Sequence, residues 1–317
     1  MFVHYLSALS YIICPEQGHP ANRDVTLESV FWSTQCFEKT DPLDGVYALL
    51  GMLTEQPRPL TADYTVPLSS LLTKASRYWI TQRNDLDMFT LIRHRDFDTR
   101  SPDVPTWVYR ADLSVDGMVD PTKLSNVVRK RDCLGRPTLL ADERSGSGTL
   151  LLEGLVLDHV RVTTSDVDSD RVTDWQLQSL RAPDLDMVMP RTSQRLLELA
   201  TTIMCATAQS GLEAGQDAVA ILENYILLLL SKSEVNEGGK WAEEQAAADE
   251  AVAKNCRFAY AMHRQLALTA CGRLVLGSKQ MSPGDKIVML RGGMAPYLLR
   301  ASGEDYQLLG EIYVHDS

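Results

Sequence analysis

The sequence predicts an α+β fold, in which a helical body is followed at the C-terminus by a small antiparallel β-sheet or partly open barrel. Two patterns carry this prediction. Residues 190–271 place apolar side chains largely at helical spacing, whereas short apolar runs separated by glycines follow from residue 272 onward. We expect one continuous globular unit with a mixed α/β lobe at 1–150, a strand and helices at 151–257, and a β module at 258–317.

The first half of the chain contains three predicted helices. Apolar residues within 27–37 share one helical face, and Leu43–Leu50 forms a second helix whose first turn Asp41 can cap. Gly51 suits a left-handed residue at the C-terminal end of that helix. The third helix begins at Pro67, and we expect its apolar stripe to pack in a core.

Strands are predicted on both sides of the helical region. Leu86–Arg93 and Val104–Tyr109 have extended patterns, and Thr149–Val162 is predicted to be a strand with a bulge at Gly154. Trp241–Cys271 is expected to be helical. Four C-terminal strands, joined by glycine-containing turns, are predicted at Arg273–Leu276, Lys286–Leu290, Tyr297–Arg300 and Gln307–His315.

The composition limits the classes of function. The chain has 317 residues, of which 44% are hydrophobic and 23% are charged, as in ordinary folded proteins. Its formal net charge of −11 argues against a nucleic-acid partner, because binding to a phosphate backbone requires a basic face. No apolar run approaches the ~20 residues that cross a bilayer, and no signal-peptide pattern occurs at the N-terminus. We therefore expect a cytoplasmic protein without a membrane span.

Sequence motifs for bound metals and cofactors are missing. The six histidines are isolated, and the six cysteines form no C-x-x-C pair. Neither a G-x-x-x-x-G-K-[ST] phosphate loop nor a strand-linked G-x-G-x-x-G occurs, and there is no G-x-S-x-G elbow. We expect no metal and no cofactor.

Three short C-terminal motifs and two upstream stretches resemble a known family. Pro283–Asp285, Leu299–Arg300 and Tyr313–His315 follow the order and spacing of the C-terminal region of fungal heterokaryon-incompatibility (HET) proteins. Upstream, Thr40–Gly51 resembles the family's T-D-P-R-D-K-φ-Y-A-L-L-G, in which φ is apolar. Pro105–Val108 resembles the start of its P-S-W-V-P-D-W motif. The resemblance implies a fungal protein, but it does not by itself imply an activity.

The sequence departs from the family pattern in two ways. Only about 40 residues precede the T-D-P-R-D-K segment, so we expect the N-terminal HET domain, to which the family's cell-death trigger is assigned, to be absent. The P-D-W end of the tryptophan motif has become Tyr109-Arg110-Ala111-Asp112, and the two basic residues of T-D-P-R-D-K are replaced by Leu43 and Gly45.

Aromatic and hydrogen-bonding residues are concentrated around the altered motif and suit an apolar pocket with a few oriented polar groups. Holding the ends of a substrate in reactive geometry supplies ~7–11 kcal/mol in the best cases, and a hydrogen bond to a carbonyl stabilises developing charge. The first hypothesis, by analogy with stand-alone HET-like proteins encoded beside natural-product genes, is therefore a cofactor-independent cyclase of fungal secondary metabolism. An intramolecular Diels–Alder reaction on an apolar terpenoid or polyketide-like substrate is the example. The candidates are the catalytic residues Tyr109, Arg110, Arg93 and His94 and the substrate-binding residues Tyr64, Trp79, Trp107 and Asp112.

The second hypothesis is an interaction or regulatory protein of heterokaryon incompatibility, which binds another protein and has no catalytic activity. It follows from the resemblance itself. The alternative to a catalytic role for the candidate residues is that Trp107 packs in the core and that Arg93 or Arg110 lies on the surface. An exposed apolar patch over a solid core would favour this hypothesis, whereas an enclosed apolar pocket would favour the enzyme.

Overall fold

The chain divides into two compact units, which are described separately. The first unit comprises residues 1–92, 100–118 and 139–151, and the second comprises residues 93–99, 119–138 and 152–317. The computed structural model describes residues 27–34, 37–54, 60–92, 103–113, 148–163, 193–204, 216–231, 243–244, 246–248, 250–251 and 264–315.

Helices form most of the described part of the first unit. They are α1 (Leu27–Thr34), α2 (Asp44–Leu50), α3 (Leu68–Arg83) and a 3-10 helix (Asp87–Leu91). The Leu43 N–H donates to Oδ1 of Asp41 at 2.9 Å, so Asp41 organises the turn that leads into α2. α2 ends at Gly51, whose φ of −66° is right-handed, so the prediction of a left-handed residue was wrong.

α3 agrees with its prediction from the sequence. Its N-terminal flank is Pro67, and it ends at Asn84, which has a left-handed φ of 52° that asparagine tolerates better than most residues. Its inner face is buried and consists of Leu71, Leu72, Ala75, Ser76, Trp79 and Ile80. This stripe is the core-facing side of the helix, as the 3.6-residue period requires.

Two segments of the first unit that were predicted to be extended form turns instead. The 3-10 helix is held by local bonds, in which the Asp87 N–H donates to Oδ1 of Asp85 at 3.2 Å and the Thr90 hydroxyl donates to the Asp87 carbonyl at 2.7 Å. The Pro105 carbonyl accepts the Val108 N–H at 3.1 Å, which turns the second segment. These local hydrogen bonds outweigh the extended preference of the apolar residues.

The described part of the second unit includes a seven-stranded antiparallel sheet and the helices α4 (Ser193–Met204) and α5 (Gln216–Ser231). The order across the sheet is β6-β5-β4-β1-β2-β3-β7. The strands are β1 (Gly154–Thr163), β2 (Arg264–Thr269), β3 (Leu274–Ser278), β4 (Lys286–Leu290), β5 (Pro296–Ser302), β6 (Asp305–Glu311) and β7 (Tyr313–Val314).

Two strands of this sheet lie outside the predicted C-terminal set. β2 falls where the sequence predicted a helix, because its six residues pair between β1 and β3 and are buried along their whole length. β1 is the central strand of the sheet, and its irregularities fall after Val156 and after Val160, not at Gly154 as predicted. The first half of β1 pairs with β4 and its last residues pair with β2.

The sheet curls until its two edges meet at one residue. β6 pairs with β5 and β7 pairs with β3, yet Ile312 alone separates β6 from β7 along the chain. Arg264 at the start of β2 donates to the carbonyl oxygen of Glu311 at 2.8 Å and to its Oε1 at 2.8 Å. Both side chains are buried, at 7% and 6% exposure, so this ion pair joins strands four positions apart in the sheet order.

The interior of the curled sheet is filled by apolar side chains from six strands and their connections. They are Val160, Ala267, Val275, Met281, Ile287, Leu298, Leu309 and Ile312. A small sheet that curls in this way has a packed core. α4 packs against α5 and against β3 on the outside.

The α+β class is confirmed: five α-helices and an antiparallel sheet are present in the described part of the chain. The sheet corresponds to the predicted partly open barrel, because β6 and β7 follow one another and form no ladder that would close it.

Replacing Glu311 with Gln is expected to lower the free energy of unfolding by about 3–5 kcal/mol, because the buried Arg264 guanidinium loses the carboxylate of Glu311. The control is Glu153→Gln, which breaks a pair with Arg291 whose side chains are 46% and 44% exposed, and should cost at most about 1 kcal/mol. Denaturant unfolding followed by circular dichroism measures both. Equal losses of unfolding free energy in Glu311→Gln and Glu153→Gln would show that the buried ion pair stabilises the protein no more than the exposed one. The double variant Arg264→Met/Glu311→Leu should recover most of the loss.

Candidate functional site

Three aromatic side chains of the first unit form a buried cluster. The ring centroids of Phe31 and Tyr109 are 5.2 Å apart, those of Phe31 and Trp79 are 5.8 Å apart, and those of Trp79 and Tyr109 are 6.1 Å apart. The backbone N–H of Tyr109 donates to the buried hydroxyl oxygen of Ser76 at 3.0 Å. The structure therefore brings together two of the predicted site residues, Trp79 and Tyr109, in an apolar setting.

Trp79 carries a buried donor without a partner in the described structure. Its side chain is 2% exposed, and its indole N–H has no acceptor among the described residues. The neighbouring Tyr109 hydroxyl donates to the Phe31 carbonyl at 3.5 Å, at the long limit of a hydrogen bond. A buried N–H of this kind costs about 1–3 kcal/mol unless something accepts it.

Trp107 is held by the backbone of a neighbouring segment. Its indole N–H donates to the Gly148 carbonyl at 2.6 Å, and the Arg77 guanidinium lies over the ring at 5.2 Å from its centroid. Arg77 also donates to the Thr149 carbonyl at 2.8 Å. Trp107 and Arg77 thus fasten residues 148–149 to α3, and the Trp107 indole N–H is already bound.

Arg110 and Asp112 bind each other. The Arg110 Nε and Nη2 donate to the two carboxylate oxygens of Asp112 at 2.7 and 2.6 Å. The side chains are 19% and 5% exposed, so this fork-shaped pair is largely shielded from solvent. The pair occupies donors of Arg110 that a substrate carbonyl would need.

Tyr64 lies apart from the aromatic cluster, on the surface. It is 55% exposed, and its hydroxyl donates to Oδ1 of Asp44 at 2.7 Å. That hydrogen bond to a carboxylate raises the pKa of the Tyr64 hydroxyl above its ordinary value. The Tyr64 ring also packs edge-on against the Tyr47 ring, with the two ring centroids 5.2 Å apart. These contacts stabilise the loop that follows α2. The other two predicted catalytic residues, Arg93 and His94, lie outside the described residues.

Two of the positions at which the sequence departs from the HET pattern, Gly45 and Ala111, meet in space. A Cβ atom added to Gly45 in α2 would clash with the backbone carbonyl oxygen of Ala111, which stands where the pattern has the tryptophan of P-D-W. The loss of a side chain at residue 45 therefore allows α2 to approach the backbone at residue 111. The sequence contained both changes but could not show that they touch.

A second candidate site lies on β1 in the second unit. Leu155, Val156 and Leu157 are consecutive residues with exposures of 57%, 55% and 43%. Along Gly154–Leu157, β4 pairs with one edge of the strand, and no strand in the described part of the chain pairs with the other. We call Gly154–Leu157 the open edge. Sequence reasoning missed it because an unbroken apolar run predicts a strand buried on both faces.

The backbone geometry shows which polar groups face outward from this edge. The Arg291 N–H donates to the Glu153 carbonyl at 2.9 Å, and these residues lie opposite each other in the ladder with β4. Antiparallel pairing alternates, so the amide groups of Leu155 point to β4 whereas those of Gly154 and Val156 point away from it. Among the described residues, the open edge therefore has backbone groups without a partner beside exposed apolar side chains.

The far end of the open edge is closed by a turn. The Ala270 N–H donates to the His159 carbonyl at 3.0 Å, and the Cys271 N–H donates to Oδ2 of Asp158 at 3.3 Å. Burial disfavours the Asp158 carboxylate, but hydrogen bonds from Thr269, His159 and Cys271 lower its pKa below the ordinary value. Asp158 is thus an ionised but inward-facing group.

Substituting Gly45 with Ala is expected to lower the free energy of unfolding by about 1–3 kcal/mol, because the new methyl group displaces the Ala111 backbone. Gly51→Ala is the matched control: it follows the same helix, has a right-handed φ of −66°, and has no atom within 4 Å of the added methyl group. We expect Gly51→Ala to be neutral or to stabilise by about 0.4–1 kcal/mol. Thermal and denaturant unfolding measure the stability of both variants. Equal changes in stability for Gly45→Ala and Gly51→Ala would refute the close approach of α2 to the Ala111 backbone.

The described residues show neither a candidate membrane-spanning helix nor a candidate metal site. None of the helices there is long and apolar enough to cross a membrane. The same residues contain no group of three or more His, Cys, Asp or Glu side chains that could hold a metal ion.

Comparison with protein families matches the C-terminal part of the chain to a known domain. Residues 230–316 match the profile of the Het-6 beta-barrel domain, a range that includes β2 to β7. No curated protein and no solved structure matches the chain. The C-terminal part of this chain is therefore similar to the β-barrel domain of the Het-6 family, which is related to heterokaryon incompatibility.

Proposed function

We propose that this chain is an interaction protein related to heterokaryon incompatibility and that it binds another protein through the open edge. The observation that carries the proposal is the run of three exposed apolar residues beside unpaired backbone groups, on the unit that includes the Het-6 match. Exposed apolar strand edges are rare in monomeric proteins, which usually protect them with charges, prolines or covering segments.

Strand addition is the binding mode that suits this surface. An extended segment that pairs with the open edge receives hydrogen bonds from Gly154 and Val156 and covers apolar side chains on both faces of the sheet. The interior of the sheet is already filled by its own apolar core, which makes it a rigid support. Binding therefore requires no rearrangement of the sheet.

A photo-cross-linking amino acid at Leu155 tests the proposal. We expect it to form an adduct with a protein, and the adduct should be lost when Val156→Lys is added, because the lysine places a charge in the new ladder. Excess unlabelled protein should compete for the adduct, whereas excess Val156→Lys protein should not. The same label at Leu227 on α5, which is 44% exposed, is the control for non-specific capture. Adducts that are equal from both positions, or that survive Val156→Lys, would refute this use of the edge.

A cofactor-independent cyclase is a second candidate function, and one observation favours it. The unpartnered indole N–H of Trp79 is a buried donor beside the Tyr109 ring, and a substrate carbonyl that reached it would be polarised in an apolar setting. Arg110 binds Asp112, Trp107 binds Gly148 and Tyr109 binds Phe31, so the Trp79 indole N–H is the donor that this role would use.

Trp79→Phe separates this candidate from a purely structural tryptophan. It removes the N–H but keeps an aromatic ring, so we expect at least about a tenfold loss of cyclisation rate if the N–H polarises a substrate. Polyene substrates with an activating carbonyl, analysed by chromatography for cyclised products, provide the assay. If the wild-type protein accelerates no such cyclisation, or if Trp79→Phe matches it, the enzyme candidate fails.

A further inference from the structure

We propose that His315 is a pH-sensitive switch, which keeps β7 paired with β3 while its imidazole is neutral and releases β7 when the imidazole is protonated. The switch lies at a different edge of the sheet from the open edge and does not depend on the proposed function. Three features support it, namely the short pairing of β7, a fixed point at Ile312 and the buried position of the His315 side chain.

Few contacts hold β7 on the sheet. It consists of two partly buried residues, Tyr313 and Val314, which pair with β3, and Val314 also packs against the apolar interior. The N–H of His315 donates to the Leu274 carbonyl at 3.0 Å and extends this pairing by one hydrogen bond. A ladder of this length can open without unfolding the rest of the sheet, because short edge elements belong to the least stable parts of a fold.

The residues before β7 are a fixed point about which the strand can move. Ile312 is 1% exposed in the apolar interior, and its N–H donates to the Pro296 carbonyl at 3.0 Å. Glu311 is held by its buried ion pair with Arg264. Release of residues 313–315 therefore leaves β6 and the interior in place. It also frees the edge of β3 that does not pair with β2.

The side chain of His315 is poorly placed to carry a charge. It is partly buried, and its Nδ1 atom is fully buried and has no hydrogen-bond partner among the described residues. A protonated imidazole has an N–H on both nitrogens, so protonation places a donor without an acceptor at Nδ1. The charged ring also lacks hydration in this position, which it regains when β7 leaves β3.

The charged groups that act on His315 lie on α4, which packs against β3. They are Arg195 and Glu198, which bind each other at 2.7 Å, and Oε1 of Glu198 accepts from the Gln194 amide at 3.4 Å. β3 and β7 contribute no charged side chain. Burial lowers the pKa of the His315 imidazole below its ordinary value. The Glu198 carboxylate opposes this shift, and the Arg195 guanidinium adds to it.

The lowered pKa of His315 determines the direction of the pH dependence. Above about pH 6.5 the imidazole is neutral whether β7 is paired or released, so pairing keeps its full strength. As the pH falls below about 6.5, the released state takes up a proton that the paired state does not, and pairing weakens by at most about tenfold per pH unit. The loss ends below the pKa of the paired state. Carboxyl groups ordinarily titrate at about pH 4, below this range.

Amide hydrogen exchange of His315, followed by nuclear magnetic resonance and corrected for the intrinsic exchange rate, measures the release of β7. Between about pH 7.5 and about pH 5.5 we expect the protection factor of the His315 N–H to fall severalfold, by at most about tenfold. The Val160 N–H, which donates to the Asp285 carbonyl at 2.9 Å inside the sheet, should keep its protection. In the same samples, the imidazole C–H signals of His315 should titrate together with the loss of protection.

Two substitutions show which histidine is responsible. His315→Gln cannot titrate, so the protection factor of the residue 315 N–H should no longer depend on pH. His159→Gln is the matched control, because the side chain of His159 is 59% exposed on the same sheet, and it should leave the pH dependence unchanged. The Val160 N–H confirms in each variant that the sheet is folded.

Three results would overturn the switch. The first is a His315 protection factor that is equal at the two pH values. The second is a pH dependence that His315→Gln retains, since another group would then be titrating. The third is an equal fall at Val160, since the whole sheet would then open and not β7 alone. None of these results concerns the open edge, so they leave the test of the proposed function unaffected.

Discussion

The buried ion pair between Arg264 and Glu311 is the contact on which the architecture of the second unit depends. It joins β2 to the end of β6 where the strand order alone would leave them four positions apart, so it holds the sheet in its curled form. Replacing such a pair with apolar residues often changes stability little, whereas breaking it is costly. We therefore interpret the pair as a device that specifies which strands meet, with the apolar interior supplying most of the stability.

The curled sheet also explains the open edge. β2 covers β1 only along its last residues, where Val160 enters the core, and the turn that follows β2 ends the ladder at His159. The first half of β1 therefore pairs with β4 alone. The curling that packs the interior thus leaves a short apolar edge. The interaction proposed for this chain follows from this sheet geometry. The aromatic cluster of the first unit needs no such account, since Trp79 and Tyr109 pack as a core there.

The sequence predicted what depends on local chemistry. The Asp41 turn, the start of α3 at Pro67 and the strand Lys286–Leu290 were recognisable because capping, proline at a helix start and short apolar runs act over a few residues. β2 was missed because its structure depends on neighbours in the sheet, and an apolar run in that place also fits a helix. Among the site residues, the pairing of Arg110 with Asp112 and the contact of Gly45 with Ala111 depend on geometry that spacing does not reveal.

The central claim is that the backbone of Gly154–Leu157 has one free edge. Amide hydrogen exchange, measured by nuclear magnetic resonance in a dilute sample, tests it directly because Leu155 and Val156 are neighbours whose N–H groups point to opposite sides. The account predicts slow exchange at Leu155, which is bound to β4, and fast exchange at Val156. Equally slow exchange at both residues in a dilute monomer would show that another segment of the chain covers the edge, and would contradict the account.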